Sequence, residues 1–145
     1  FQHTEIEKAL PELIDQIAYN PNWEKGMAGS VYTGMSLLPD TVDGNMIVLG
    51  DMPLLTTHTL NQLIEQFCIH DGKQIIYPVY SGEQANPVIF PRKYFSEILS
   101  STGDRGCKKV LNQYPDDAIG ISIDSEEVIL DCDNKDDYYS ILSKI

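Results

Sequence analysis

The stretch that decides the fold is Asn45-Met46-Ile47-Val48-Leu49-Gly50-Asp51-Met52-Pro53. It begins with an apolar run in which polar and apolar positions do not alternate. Such a run is typical of a buried parallel strand that helices cover on both faces. Gly50 and Pro53 then mark a turn, and Thr56 or Thr57 is a suitable N-cap for a following helix. The stretch therefore predicts a strand–turn–helix unit.

Strands and helices alternate in both directions from this unit. No repeat, linker or shift in composition marks a second domain, so residues 1–145 are predicted to form a single α/β domain, with three layers and a mostly parallel sheet. Strands are predicted over residues 17–19, 45–50, 73–80, 86–90 (a hairpin-like excursion after a turn) and 118–124, and helices over 4–16, 27–38, 56–70, 91–100, 107–113 and 138–145.

The composition excludes several classes of protein. Ten Lys and Arg against 22 Asp and Glu give a net charge of −12, which argues against general nucleic-acid binding. Acidic side chains instead suit a divalent cation, because carboxylates are hard oxygen ligands. A hydrophobic content of 42% excludes a disordered chain. No apolar run approaches the roughly 20 residues that a membrane-spanning helix needs.

The cysteines and histidines form no recognisable site. No Cys-x-x-Cys pair is present, so neither a zinc ribbon nor a disulfide framework is predicted, and a reducing cytoplasm is the simplest compartment. The three histidines are not grouped with a serine or cysteine, so hydrolysis by a protein nucleophile is not indicated. The cysteines are odd in number and scattered, at Cys68, Cys107 and Cys132.

Asp51 is the first candidate functional residue. Ligands of open α/β sheets bind beyond the carboxyl ends of the strands, and Asp51 directly follows the strongest predicted strand. Held there between Gly50 and Pro53, its carboxylate is suitably placed for Mg²⁺, which usually takes one or two protein carboxylates and phosphate oxygens. The alternative is that Asp51 only caps the turn before the helix.

A second acidic group follows the apolar residues 128–130. In an extended segment, Asp131 and Asp133 point to the same side and could complete a metal site with Asp51. The alternative is a solvated turn. Asp136 and Asp137 are assigned to the N-terminus of the last helix, which negative charge stabilises.

Two glycine-containing segments could bind anions. Arg105 lies between Gly103 and Gly106, where a guanidinium could hold a phosphate or carboxylate through two hydrogen bonds. Gly26 and Ser30 lie on either side of a predicted helix start, where backbone amides favour anions. Both patterns are also common at protein surfaces.

Taken together, these motifs resemble those of the MobA-like NTP transferases. Within that family the chain is most similar to the molybdenum cofactor cytidylyltransferases and to relatives linked to xanthine dehydrogenase maturation. The motifs occur in family order, as Asn20-Pro21-x-Trp23-x-x-Gly26-Met27-x-x-Ser30-x-x-x-Gly34, Leu49-Gly50-Asp51-Met52-Pro53, Pro78-Val79-Tyr80, Gly103-Asp104-Arg105-Gly106 and Asp131-x-Asp133-x-x-Asp136-Asp137.

The resemblance implies a Rossmann-like nucleotidyltransferase fold and a Mg²⁺-dependent reaction. In this branch, CMP passes from CTP to a molybdopterin-type molybdenum cofactor and pyrophosphate leaves, and a molybdoenzyme such as xanthine dehydrogenase is an implied partner. Asp51 and Asp133 match catalytic, metal-binding positions of the family, and Asp131 matches a further metal ligand. Substrate-cleft positions of the family correspond to Gly26, Met27 and Ser30, and to Asp104, Arg105 and Gly106.

The chain departs from the family pattern in three ways. Ala85-Asn86-Pro87 stands where this branch commonly has Gly-His-Pro, and Asn134-Lys135 stands where Thr-Pro is usual. The glycine-rich loop that opens family members and holds the nucleotide is not found. The expectation is therefore a C-terminal portion of the domain that lacks the first strands. Alone, it is expected to bind NTP poorly, to lack normal transferase activity, and to expose apolar surface that favours self-association.

Two other functions stay open from the sequence. The first keeps the fold but transfers the nucleotide to a sugar phosphate or another small phosphate. The second is a non-catalytic maturation partner of a molybdoenzyme, which binds the cofactor without chemistry.

Overall fold

The computed structural model describes residues 3–10, 14, 16–100 and 106–144 of the chain. Its internal contacts define two units, Phe1–Val42 with Tyr94–Gln113 and Asp43–Lys93 with Tyr114–Ile145. We call them the helical unit and the sheet unit, and each is described by itself. None of the described helices is long and apolar enough to cross a membrane.

Helices and strands are interspersed along the chain, which confirms the α/β class. In chain order the helices are α1 (His3–Ala9), α2 (Met27–Met35), α3 (Thr57–Ile69), α4 (Phe95–Ser100), α5 (Gly106–Gln113) and α6 (Lys135–Leu142). Short 3-10 helices lie at Trp23–Lys25, Arg92–Tyr94, Pro115–Asp117 and Glu126–Val128. The strands are β1 (Gly44–Ile47), β2 (Ile75–Tyr80), β3 (Glu83–Gln84), β4 (Val88–Pro91) and β5 (Ala118–Ser122).

The sheet is mixed, and three of its strands share one direction. Its order is β1-β4-β2-β3, with β5 paired to β2. β4 is antiparallel to both β1 and β2, and β5 is parallel to β2. The carboxyl ends of β1, β2 and β5 therefore lie at one edge of the sheet. The reversed strands β3 and β4 are the predicted hairpin-like excursion.

Helix α3 covers the sheet and holds the core of this unit. Its predicted N-cap is confirmed, because the Thr56 hydroxyl accepts a hydrogen bond from the Thr59 N–H over 3.3 Å. Leu63 lies on the apolar face of α3 and is fully buried against Ile76 and Ile89 of the sheet. This packing holds the middle of α3 against the sheet, and the N-terminus of the same helix follows the Asp51 turn.

The helical unit contains α1, α2, α4 and α5. Helix α2 contacts α4 and α5, which also contact each other. Its buried side chains include Met35 of α2, Ile98 of α4, and Val110 and Leu111 of α5.

Two strand predictions are wrong in part. The run at residues 45–50 is not covered on both faces: β1 lies at the end of the strand order, its residues are half-buried, and Val48 is exposed. Ile17 and Tyr19 were expected in a buried strand but lie in irregular backbone, 52% and 55% exposed. An apolar run is buried as a strand only if partner strands lie beside it. The described part of the helical unit contains no strand that could pair with residues 17–19, and β1 lies at the end of the strand order.

Three predicted helices are shorter than their apolar periodicity. The helix over residues 4–16 ends at Ala9, before Pro11, whose ring restricts the preceding residue; residues 11–13 and 15 lie outside the described part of the chain. The helix over residues 27–38 ends at Met35. The helix predicted over residues 91–100 begins as an α-helix only at Phe95. Pro91 is instead the last residue of β4, where it pairs with Gly44.

Candidate metal and substrate site

Asp51 lies in the turn after β1, on the side of the sheet where β1, β2 and β5 end. Its side chain is exposed, whereas the neighbouring Met52 is buried and anchors the turn. The Leu55 N–H donates to the Met52 carbonyl over 3.3 Å just before the N-cap of α3. Asp51 therefore occupies the position that the sequence predicts, beyond the carboxyl end of a strand.

The acidic segment that contains Asp131 and Asp133 lies directly beside this turn. The Cys132 N–H donates to the Asp51 carbonyl over 2.8 Å. This backbone bond joins two segments that are distant in sequence, and the residues on either side of Cys132 are exposed, like Asp51. The structure thus brings together the backbone segments of all three predicted carboxylates.

The three carboxylates do not form a preassembled metal cage. Within the described ranges, no group of three or more His, Cys, Asp and Glu side chains is arranged to hold a metal ion. Mg²⁺ rarely uses such a cage, since it usually combines one or two carboxylates with substrate phosphates and water. The oxygen donors on these two segments fit a cation site that a substrate completes.

The start of α6 fixes the backbone at Asp133. Asn134 is the N-cap of α6, and its side chain accepts hydrogen bonds from the Asp136 and Asp137 N–H groups over 2.8 and 3.1 Å. In return, the Asp137 carboxylate accepts from the N–H groups of Asp133 and Asn134, both over 3.1 Å. The assignment of Asp136 and Asp137 to the N-terminus of the last helix is confirmed.

Sequence reasoning did not single out Glu127, which is a buried carboxylate of the sheet unit. It lies in the 3-10 helix after β5 and is only 7% exposed. The Thr56 hydroxyl donates to Glu127 Oε1 over 3.2 Å, and the Thr59 hydroxyl donates to the same oxygen. An acidic run predicts exposure. The apolar residues 128–130 that follow indicate that the segment is partly buried, but not which carboxylate is buried.

In the helical unit, the loop over residues 20–26, which precedes α2, is held by side-chain hydrogen bonds. Gly26 has φ of 106°, a conformation that side-chain-bearing residues rarely adopt, and Met27 begins the helix. Asn20 Nδ2 donates to Ser30 Oγ over 3.1 Å, and Asn20 Oδ1 accepts from the Asn22 N–H over 2.9 Å. Asn20 thus ties the loop to the first turn of α2.

A cavity of about 420 Å³ opens beside this loop within the helical unit. Of the predicted contact residues Gly26, Met27 and Ser30, only Ser30 is among the described residues that line this cavity. The wall is mainly apolar and aromatic, with Ile6, Ile17, Tyr19 and Trp23, and its further polar side chains are those of Asn20 and Glu7. Such a cavity suits a ligand with a flat, weakly polar body.

The third predicted site segment is only partly described. Asp104 and Arg105 lie outside the described residues, and Gly106 is the first residue of α5. Beside it, burial raises the pKa of the Cys107 thiol, which keeps that thiol protonated at neutral pH. Cys107 is therefore not an activated nucleophile.

Mycobacterial proteins of known structure share this fold. The chain is 25% identical to a homologue of Mycobacterium tuberculosis Rv0371c from Mycobacterium sp. strain JC1, with a TM-score of 0.68 over 79% of this chain and 56% of that one. Against Rv0371c of M. tuberculosis H37Rv the identity is 22%, with a TM-score of 0.80 over 98% of this chain and 71% of that one. A structure of Rv0371c in complex with manganese gives 21% identity and a TM-score of 0.81 over 99% and 74% of the two chains. The chain thus spans little more than half the length of the first of these proteins.

Sequence comparison gives the family. No curated protein matches the chain significantly. The sequence profile described as MobA-like NTP transferase domain matches residues 2–118, which is most of the chain. The chain therefore belongs to the MobA-like NTP transferase family, a family of nucleotidyltransferases.

Proposed function

We propose that this chain supplies the cation-binding and acceptor-binding parts of a nucleotidyltransferase, with Asp51 and Asp133 as catalytic metal ligands and Asp131 as a further ligand. The observation that supports this most directly is the hydrogen bond from the Cys132 N–H to the Asp51 carbonyl. It joins the two acidic segments at the edge of the sheet where α/β proteins bind ligands.

The cation of this proposal is Mg²⁺. A cation held by these carboxylates and by the nucleotide would neutralise phosphate charge during transfer. Support comes from the all-oxygen donor set and from the manganese complex of the structurally similar Rv0371c. Mg²⁺ and Mn²⁺ both accept carboxylate and phosphate oxygens, so either ion suits these residues.

In this proposal the protein residues position charge and supply no nucleophile. The acceptor's own phosphate attacks the α-phosphorus of the nucleotide, and pyrophosphate leaves. Asp51 and Asp133 would hold the cation. The turn that carries Asp51 is fixed by the hydrogen bond from the Cys132 N–H to the Asp51 carbonyl, and the Asp133 N–H donates to the Asp137 carboxylate at the start of α6. Positioning and charge stabilisation are sufficient for this type of transfer.

We propose CTP as the nucleotide and a molybdopterin-type cofactor as the acceptor. The cavity beside α2 favours this acceptor over a sugar phosphate, since Tyr19 and Trp23 offer aromatic surface to a planar ring system while Asn20 and Ser30 offer hydrogen bonds. Gly26, Met27, Asp104, Arg105 and Gly106 are proposed to contribute to substrate binding. A molybdoenzyme such as xanthine dehydrogenase would receive the product.

We also propose a cellular compartment for the protein and the part of the family domain that the chain represents. All three cysteines are free thiols, which supports a reducing cytoplasm. Within the family domain, the chain is proposed to be the C-terminal portion.

Pyrophosphate release tests the function. The full-length protein is assayed with each of the four NTPs and with molybdopterin-type or sugar-phosphate acceptors, and we expect turnover to require CTP, a divalent cation and the pterin acceptor. Asp51→Asn should lower kcat by about 100-fold or more, because it removes a charge that stabilises the transition state. Asp116→Asn is the control, since Asp116 is exposed and precedes β5 at its opposite end. Undiminished turnover by Asp51→Asn would remove Asp51 from the mechanism.

A further inference from the structure

The buried carboxylate of Glu127 is costly, and no catalytic step described above uses it. Taking a charged group out of water requires compensation by an ion pair or strong hydrogen bonds. Among the described residues, no Lys, Arg or His forms an ion pair with Glu127. Its compensation comes from the hydroxyls of Thr56 and Thr59 and from the N-terminus of α3, which favours negative charge.

These contacts join the same two segments that carry the candidate metal ligands. Residues 51–56 lead from Asp51 to the N-cap of α3, and residues 127–132 lead from Glu127 to Cys132. The segments are bonded at one end through the Cys132 N–H and the Asp51 carbonyl, and at the other through Glu127 and the two threonines. The two segments therefore form a closed clamp with a bond at each end.

Buried side chains of the sheet unit limit how far the two segments of the clamp can shift relative to each other. Val128 is fully buried in a cluster with Ala85 and Ile123, and Leu55 of the opposite segment packs against that cluster. The Val128 carbonyl accepts a hydrogen bond from the Asn86 N–H over 3.1 Å. With Val128 fixed, the Glu127 contacts set how the segment that follows lies against the Asp51 turn.

We propose that Glu127 is a positioning residue of the cation site, which holds the segment with Asp131 and Asp133 in register with Asp51 through the hydroxyls of Thr56 and Thr59. Glu127 itself does not bind the cation. This inference rests on the proposed function, because it assigns Glu127 a purpose at the same site. Removing a group that orients metal ligands without binding the metal itself typically lowers metal affinity or activity by about 10- to 100-fold.

The test is Mn²⁺ binding in the presence of CTP, measured by electron paramagnetic resonance on the full-length protein. Glu127→Ala should weaken Mn²⁺ binding by about 10-fold or more. Glu127→Gln should restore most of the affinity, since its amide oxygen can still accept from both hydroxyls. Glu126→Ala is the matched control, because it removes the adjacent carboxylate, which is about half exposed and pairs with Lys144 on the surface.

Hydrogen exchange separates failure of this inference from failure of the proposed function. If the wild-type full-length protein binds no Mn²⁺ with CTP, the proposed function fails, and exchange of the peptide over residues 128–134 then tests the clamp alone. Glu127→Ala should speed that exchange and Glu126→Ala should not. If Glu127→Ala does not fold, Thr59→Val replaces it in both measurements, because it removes one hydroxyl donor and keeps the side-chain volume. Unchanged Mn²⁺ affinity and exchange in the folded variant, or a Gln variant as weak as the Ala variant, would overturn the proposal.

Discussion

At the scale of single residues, Gly26 is a position in the helical unit where the backbone dictates the amino acid. Its φ of 106° and ψ of 172° lie in a region that is essentially restricted to glycine. The residue turns the chain from the Trp23–Lys25 3-10 helix into α2, whose first turn carries Ser30. The loop beside the cavity therefore depends on the absence of a side chain at residue 26.

Replacing Gly26 should destabilise the protein through this backbone strain. We expect Gly26→Ala to lower the free energy of unfolding by about 1–3 kcal/mol, measured by urea denaturation. Gly34→Ala is the control, because a Cβ at Gly34 meets no atom within 4 Å and alanine favours the helix interior. If the two variants were equally stable, strain at Gly26 would be refuted.

The sequence could predict Asp51 but not Glu127, for a physical reason. Asp51 is marked by local features, an apolar run before it and turn residues on both sides. Glu127 is buried only because Thr56 and Thr59, which are distant in sequence, come to lie against it. No periodicity within an acidic stretch indicates which carboxylate will meet a distant hydroxyl.

At the scale of elements, α3 links the hydrophobic core to the Asp51 turn. Leu63 and Ile64 are neighbours in this helix, yet Leu63 is fully buried in the sheet core and Ile64 is 47% exposed. The helix thus has one stabilising face, and its N-cap, Thr56, is itself part of the clamp.

Truncating the two neighbours should have very different consequences. Leu63→Ala should cost about 2–5 kcal/mol of unfolding free energy, because it leaves a cavity in the core. Ile64→Ala should change the stability by only about 0.5 kcal/mol. Chemical denaturation of both variants measures the difference, and equal losses would show that α3 does not pack on the sheet as described.

Prediction of elements succeeded where the signal was local. The N-cap and length of α3 were correct, as was the start of α2, because caps and turns are specified by nearby residues. The strand at residues 17–19 and the covered environment of β1 were wrong. In both cases the apolar composition was read correctly, but the presence of partner strands is a property of the whole sheet.

At the scale of the whole molecule, sheet direction and charge together define the site. β1, β2 and β5 run in the same direction, so the turn after β1 and the acidic segment after β5 meet at one edge. With a net charge of −12, the chain favours cations over free anionic nucleotide. A divalent ion that reaches the carboxylates together with the nucleotide would relieve this repulsion.

The central claim is that Asp51 and Asp133 hold a divalent cation that the nucleotide completes. It is tested most directly by Mn²⁺ titration of the full-length protein with and without CTP, followed by electron paramagnetic resonance of free Mn²⁺. The account predicts that CTP strengthens Mn²⁺ binding, that Asp51→Asn and Asp133→Asn each weaken it by about 10-fold or more, and that Asp116→Asn leaves it unchanged. Wild-type affinity in both the Asp51→Asn and Asp133→Asn variants would contradict the account.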